Sequence, residues 1–261
     1  MRDKTARVMM LGDVSGSAGM GALFLGLSSF VREKGVDIVI ANGENAAGGF
    51  GISEADFHKF RAMGIDVITS GNHIWQKDDI LPVLDREDTI LRPLNYPEPC
   101  SGRGWTVRKK GDIEYAVINA QGRMMMNPID DPFKRISEAL REIGRSVKVI
   151  LVDFHAESAE EKEAVAFFLD GKVSAVVGTH THVQTADEKI LPKGTAYITD
   201  LGITGVIDAV IGSSPAKSIE RQLTQLPIRS EVSEGEGHMQ GVIIDIDTST
   251  GKALAIERFT R

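Results

Sequence analysis

The stretch AVVGTHTH, residues 175–182, governs how the rest of the chain is read. It opens on a short β-branched run, 175–177, of the kind buried in a sheet. A glycine and two histidines one residue apart follow at once. Working outward, the same order recurs four more times. Residues 8–11 lead into Gly12-Asp13, and 37–41 into Asn42-Gly43-Glu44-Asn45. Residues 66–69 lead into Ser70-Gly71-Asn72-His73, and 147–152 into Asp153-Phe154-His155. Five predicted strands thus deliver carboxylate, carboxamide or imidazole groups just past their C-terminal ends, the edge at which open α/β sheets bind ligands. Their near-continuous hydrophobicity suits strands covered on both faces.

Helical patterns at about 20–33, 53–63, 75–84, 131–143, 158–170 and 214–225 separate these runs. Ser53 reads as an N-cap with Asp56 as its capping-box partner. Asp131-Pro132 reads as an N-cap followed by proline at the first helical position. Two segments read instead as hairpins, 105–109 with 113–119 and 241–247 with 253–259. This interleaving predicts an α/β fold in which two mixed β-sheets are flanked by helices, rather than one doubly wound sheet. No repeat, low-complexity tract or long linker divides the chain, so residues 1–261 read as a single domain.

Composition narrows the function. Thirty Lys and Arg against 37 Asp and Glu give a formal charge of −7, which disfavours broad adhesion to nucleic acid. It leaves phosphate chemistry open, because a bound metal reverses the local sign. At 42% hydrophobic and 26% charged, the chain is globular rather than disordered. A single cysteine, Cys100, excludes an internal disulfide and any Cys-rich zinc site. The first apolar run is too short for a signal-peptide core, and no run of about 18 apolar residues could span a bilayer. The expected compartment is the cytoplasm, with no membrane partner. A homo-oligomer is left open.

Four of the six histidines, His73, His155, His180 and His182, fall at strand ends, whereas His58 and His238 do not. Together with the strand-end carboxylates and amides they read as a metal site. A mixed nitrogen and oxygen set without thiolate suits Fe, Mn or Zn. Rival motifs fail on spacing. Gly19 and Gly21 begin a dinucleotide-like loop, but Phe24 stands where the third glycine belongs. Neither G-K-[ST] nor a G-x-S-x-G elbow occurs.

The strings GDVSGSAG, ANGENAAGGFGI, SGNHIW, DFHAESAEEK, VGTHTHVQTAD and TDLGITG resemble, in order and across nearly the whole chain, the calcineurin-like metallophosphoesterases and, within them, the YmdB-like bacterial phosphodiesterases. The resemblance implies a four-layer α/β/β/α sandwich and two divalent or mixed-valence transition-metal ions, with iron or manganese favoured. It implies Asp13, Glu44, Asn45 and His182 at the first metal. Glu44 would bridge to a second metal completed by Asn72, His155 and His180, and His73 would stay off the metals and act on the substrate. Ser15 stands where the wider superfamily has the histidine of its D-x-H motif, and Asn45 would supply the replacing ligand. Thr179 and Thr181 are expected to border the substrate.

The chemistry fits that residue choice. Two divalent cations held by only two carboxylates keep a net positive charge for gripping a phosphodiester and acidifying water. His73, next to ligand Asn72, is placed to protonate the leaving oxygen. The expected activity is hydrolysis of small cyclic nucleotides such as 2′,3′-cyclic monophosphates. A phosphomonoesterase, and a regulatory nucleotide- or RNA-binding protein with a dual role, are the alternatives.

Overall fold

A computed structural model describes residues 4–261. Strands β1 (Thr5–Leu11) and β2 (Asp13–Val14) lead into helices α1 (Gly16–Ala22) and α2 (Ser28–Lys34), joined by a π-turn over Leu23–Leu27. Next come β3 (Ile38–Asn42), α3 (Glu54–Ala62), β4 (Val67–Thr69) and α4 (Leu81–Arg86). The middle of the chain forms β5 (Trp105–Lys110), β6 (Ile113–Gln121), α5 (Pro132–Ile143), β7 (Val149–His155), α6 (Ala159–Leu169) and β8 (Ala175–Thr179). Short strands β9 (Lys189–Ile190), β10 (Ala196–Ile198) and β11 (Ile203–Thr204) precede α7 (Pro215–Thr224) and the closing hairpin β12 (Gln240–Asp247) and β13 (Ala253–Thr260).

One sheet has the order β13-β12-β1-β3-β4 and the other β5-β6-β7-β8-β10-β9, while β2 and β11 form a separate ribbon. Both sheets are mixed. The parallel set β1, β3, β4 is flanked by the β12–β13 hairpin. The parallel set β6, β7, β8, β10 is flanked by antiparallel β5 and β9.

The layers follow from the two-residue period of a strand. In β1, Val8 and Met10 pack against Val117, Leu151 and Val177 of the other sheet. Met9 and Leu11 face the opposite way, toward Leu27, Phe30, Phe57 and Phe60 of the helical layer. The second sheet mirrors this, with Ile118, Val152 and Val176 packed on Ile136, Ala139 and Val165 of α5 and α6. Helix, sheet, sheet, helix is therefore the order of layers, as the sequence predicts.

Local signals hold at the helix starts. Asp56 N–H donates to Ser53 Oγ at 3.1 Å and Ser53 N–H to Asp56 Oδ2 at 3.4 Å, which closes the capping box. Asp131 Oδ1 accepts from the amides of Phe133 and Lys134.

Several boundaries differ from expectation, and four short strands are added. The helix expected from position 20 begins at Gly16. The helix expected over 75–84 is replaced by 3₁₀ turns at Asn72–Gln76 and Asp78–Ile80 before α4, where Pro82, lacking an amide hydrogen, suits only a first turn. Strand β7 runs on to His155, because the charge of Asp153 finds buried partners. The strands β2, β9, β10 and β11 escape notice in the sequence because each has at most three residues.

One buried ion pair braces the second sheet. Lys162 Nζ of α6 donates to Asp200 Oδ2 at 2.7 Å, with both side chains 1% exposed. Asp200 also accepts from Thr181 N–H, Thr181 Oγ and Gly202 N–H. Lys162→Met should cost about 3–5 kcal/mol, since it strands a buried charge. Differential scanning calorimetry should then show Tm lower by roughly 6–20 °C, whereas an unchanged Tm would remove the pair from the account.

Candidate metal centre

The parallel strands of both sheets end at one edge, and the two edges are clamped together there. Asp153, on β7, accepts from Asn42 Nδ2 at 3.0 Å and from the Thr69 hydroxyl, both on the opposite sheet. Asn119 Nδ2 donates to Ser70 O at 2.9 Å, and Ser70 N–H to Asn119 Oδ1 at 2.9 Å. All of these residues are buried. This polar seam holds the loops after β1, β3, β4, β7 and β8 over one point.

Around that point the backbone makes unusual concessions. His180 and His182 have positive φ, 105° and 64°, a conformation that costs a non-glycine residue on the order of 1–3 kcal/mol. His180 N–H donates to Asp13 Oδ2 at 3.0 Å and Thr181 N–H to Asp200 Oδ2 at 3.1 Å, which holds the strained turn. Gly71 allows a close approach, since a Cβ there would collide with Glu44 Oε2 and with the His155 ring.

Three imidazoles share one arrangement. Each has an outer nitrogen on an acceptor and an inner nitrogen turned to the centre. Thr179 has one hydroxyl proton and gives it to Asp153 Oδ1 at 2.7 Å, so it accepts from His155 Nδ1 at 2.9 Å. His180 Nε2 lies 3.1 Å from Glu157 Oε2, and His182 Nδ1 lies 2.9 Å from the Ile211 carbonyl. Inside, His155 Nε2 is 3.2 Å from Glu44 Oε1 and 3.0 Å from His180 Nδ1. His182 Nε2 is 3.0 Å from Asn45 Nδ2 and 3.9 Å from Asp13 Oδ1. Outer acceptors of this kind set the tautomer and aim of metal-ligating histidines.

The charges fit a cation. Glu44, His155 and His180 bring ligand atoms within 4.8 Å of one another. Burial pushes the Glu44 carboxyl up, but the charge and hydrogen bond of His155, with His73 and His180, outweigh it and hold it at about 2. Burial pushes His155 down, and Glu44 and Asp13 outweigh that, raising it to about 9. Burial and the neighbouring His155 drive His180 down to about 3. Burial lifts Asp13 to about 6 against the pull of His182 and His155. Glu44 therefore stays ionised, and its charge attracts a positive partner. Asp13 Oδ1 and Asn72 Oδ1 are buried without a hydrogen-bond partner. The orphaned Asp13 oxygen, 3.9 Å from His182 Nε2, joins the imidazole nitrogens in a donor set that a divalent cation satisfies.

Asn45 needs one adjustment to join that set. Its Nδ2 faces Glu44 Oε1 at 3.2 Å and His182, while its Oδ1 faces His73 Nδ1 at 2.8 Å. A half-turn of the amide would present the oxygen inward and the NH₂ to His73. His73 itself packs edge-on against Phe50, with ring centroids 5.1 Å apart, and lines the cavity with Glu44, Asn45, His180, Thr181 and His182.

Thr179 does not border the cavity as expected. It is wholly buried behind His155, because its hydroxyl is engaged by Asp153 and His155. Thr181 does line the cavity, with its hydroxyl on Asp200. Four participants went unassigned in the sequence: Asp153, Glu157, Lys162 and Asp200. Asp153 stood at a predicted strand end without a role, and the TAYI run before Asp200 offered a further signal, as a short strand ending in a carboxylate. Thr179→Val should weaken metal binding by roughly 10–100-fold, the usual cost of losing an outer partner of a ligand histidine. Metal titration followed by calorimetry tests this, and unaltered affinity would discard the relay.

The fold and this donor set define a metal-dependent hydrolase of phosphate esters. A family model described as YmdB-like protein matches residues 9–259, and the chain belongs to that family. It is 46% identical over 252 residues to the Bacillus subtilis (strain 168) 2′,3′-cyclic-nucleotide 2′-phosphodiesterase, covering 97% of this chain and 96% of that one. A solved phosphatase from Mycoplasma pneumoniae superposes with a TM-score of 0.92 at 33% identity, covering 98% of this chain and 93% of that one. A solved hypothetical protein from Thermus thermophilus superposes with a TM-score of 0.91 at 36% identity, covering 98% of both chains. Among the described residues no helix is long and apolar enough to cross a membrane.

Proposed function

We propose that this protein hydrolyses phosphodiester bonds of small cyclic nucleotides, 2′,3′-cyclic monophosphates among them. The observation that carries the reading is the convergence of three tautomer-fixed histidines on Glu44 and Asp13, together with the cyclic-nucleotide relative at 46% identity. Asp13, Glu44, Asn45 and His182 would hold one metal ion, and Glu44, Asn72, His155 and His180 a second. Iron or manganese is the expected metal. Bound divalent ions supply Lewis acidity and offset the phosphate charge that repels a nucleophile.

The chain's own residues do the rest. Glu44 and Asp13 carry the only carboxylates assigned to metal binding, so the site stays net positive toward phosphate. His73, off the metal set, faces the cavity and delivers a proton to the leaving oxygen. Burial lowers the His73 pKa against the pull of Glu44, so the protonated form that delivers the proton gains population as pH falls. Phe50 offers a flat apolar wall beside His73. The whole chain acts as one catalytic unit in this reading. The free thiol of Cys100 suits a reducing cytoplasm.

Protein loaded with Mn²⁺ or Fe²⁺ should hydrolyse 2′,3′-cyclic AMP, and chelator-treated protein should not. Elemental analysis of the same samples should find metal tracking activity. Turnover of phosphomonoesters alone would replace this reading with a phosphatase.

A further inference from the structure

The cavity at the metal centre has a volume of about 450 Å³ and is lined by two unlike groups of residues. Glu44, Asn45, His180 and His182 form one. The excursion between β11 and β12 forms the other, where Ser213, Ser230 and Arg221 of α7 line the wall. Arg221 is the single Lys or Arg lining this cavity. It is half-buried, and no carboxylate pairs with it among the described residues. Neighbouring acids are engaged elsewhere: Glu220 lies 3.8 Å from Lys217, and Glu157, the cavity's other acid beside Glu44, is on His180.

A half-buried guanidinium facing a cavity without a counter-ion is incompletely solvated. Its planar fork matches the oxygens of a phosphate. The Ser213 and Ser230 hydroxyls stand 2.8 Å apart, so one proton serves their mutual bond and the other is left to donate. The Ile211 carbonyl accepts from His182 Nδ1, the nitrogen turned away from the centre, so the segment that carries Ser213 meets the outer side of that ring. The scissile phosphate belongs with the metals, so an anion at Arg221 is a different group of the same substrate.

We propose that Arg221, with the Ser213–Ser230 hydroxyl pair, forms a second anion subsite that receives a phosphate other than the one being hydrolysed, and that the enzyme therefore prefers nucleotides carrying two phosphates. The inference rests on the phosphodiesterase reading for its catalytic meaning, but the subsite can be tested apart from turnover.

Two comparisons decide it. The first is kcat/KM for adenosine 2′,3′-cyclic phosphate against its 5′-phosphorylated form, in the metal-loaded wild type and in Arg221→Gln. The wild type should favour the 5′-phosphorylated compound by roughly 10–100-fold, the range for a charge-assisted contact. Arg221→Gln should bring that ratio close to one, and Arg221→Lys should keep part of it. A ratio equal in wild type and Arg221→Gln, or no wild-type preference, overturns the proposal. The second is calorimetric binding of adenosine 3′,5′-bisphosphate against adenosine 3′-phosphate to the same proteins, with the same ratio expected. If the wild type turns over neither cyclic compound but binds the bisphosphate through Arg221, the phosphodiesterase reading falls and the subsite stands. If it hydrolyses both without bias, the subsite falls and the phosphodiesterase reading stands.

Discussion

Glu44→Gln is expected to abolish phosphodiester hydrolysis, with a loss of at least about 10³-fold in kcat. The side chain is 1% exposed, and it meets His155 at 3.2 Å, Asn45 at 3.2 Å and the His73 amide at 3.3 Å. Glutamine keeps that shape, so packing survives. What goes is the charge that two cations would share. Metal-supplied stabilisation of phosphoryl charge is worth several kcal/mol, and each 1.36 kcal/mol is about tenfold in rate. Elemental analysis should show metal content falling with activity. Full activity with normal metal content would take Glu44 out of the bridging role.

His73→Ala should lower kcat by about 10²–10⁴-fold, the range for a general acid, while leaving metal content intact. The two results together separate holding metal from moving a proton. The loss should depend on the leaving group. An alkoxide must be protonated as it departs, so ribose diesters should suffer the full loss. A nitrophenolate needs little help, so bis(p-nitrophenyl) phosphate should suffer much less. An equal loss on both substrates would point to a disturbed site, since His73 also faces Asn45 at 2.8 Å, and would remove it as the proton donor.

The layers were legible because strand period and helix period are properties of neighbouring residues. Val8 and Met10 point one way and Met9 and Leu11 the other whatever the rest of the chain does. Strand ends were legible for a similar reason, since Gly and a polar group after an apolar run stop a strand locally. Where that rule failed, a distant partner had intervened. Strand 147–152 was expected to end before Asp153. It continues because Asn42, Thr69 and Thr179 hydrogen-bond that carboxylate inside the protein.

The sequence by itself therefore pointed to two mixed sheets between helices and to the carboxylates and imidazoles that the structure gathers around Glu44. Each of these depends on residue type and short spacing. Only the tertiary structure decided how the donors are aimed. The tautomers of His155, His180 and His182 are set by Thr179, Glu157 and the Ile211 carbonyl, and the Asp200–Lys162 pair anchors the turn between the last two histidines. Hydrogen bonds are directional and act over about 3 Å. Their partners come from strands and loops far apart in the chain, so no local pattern could announce them.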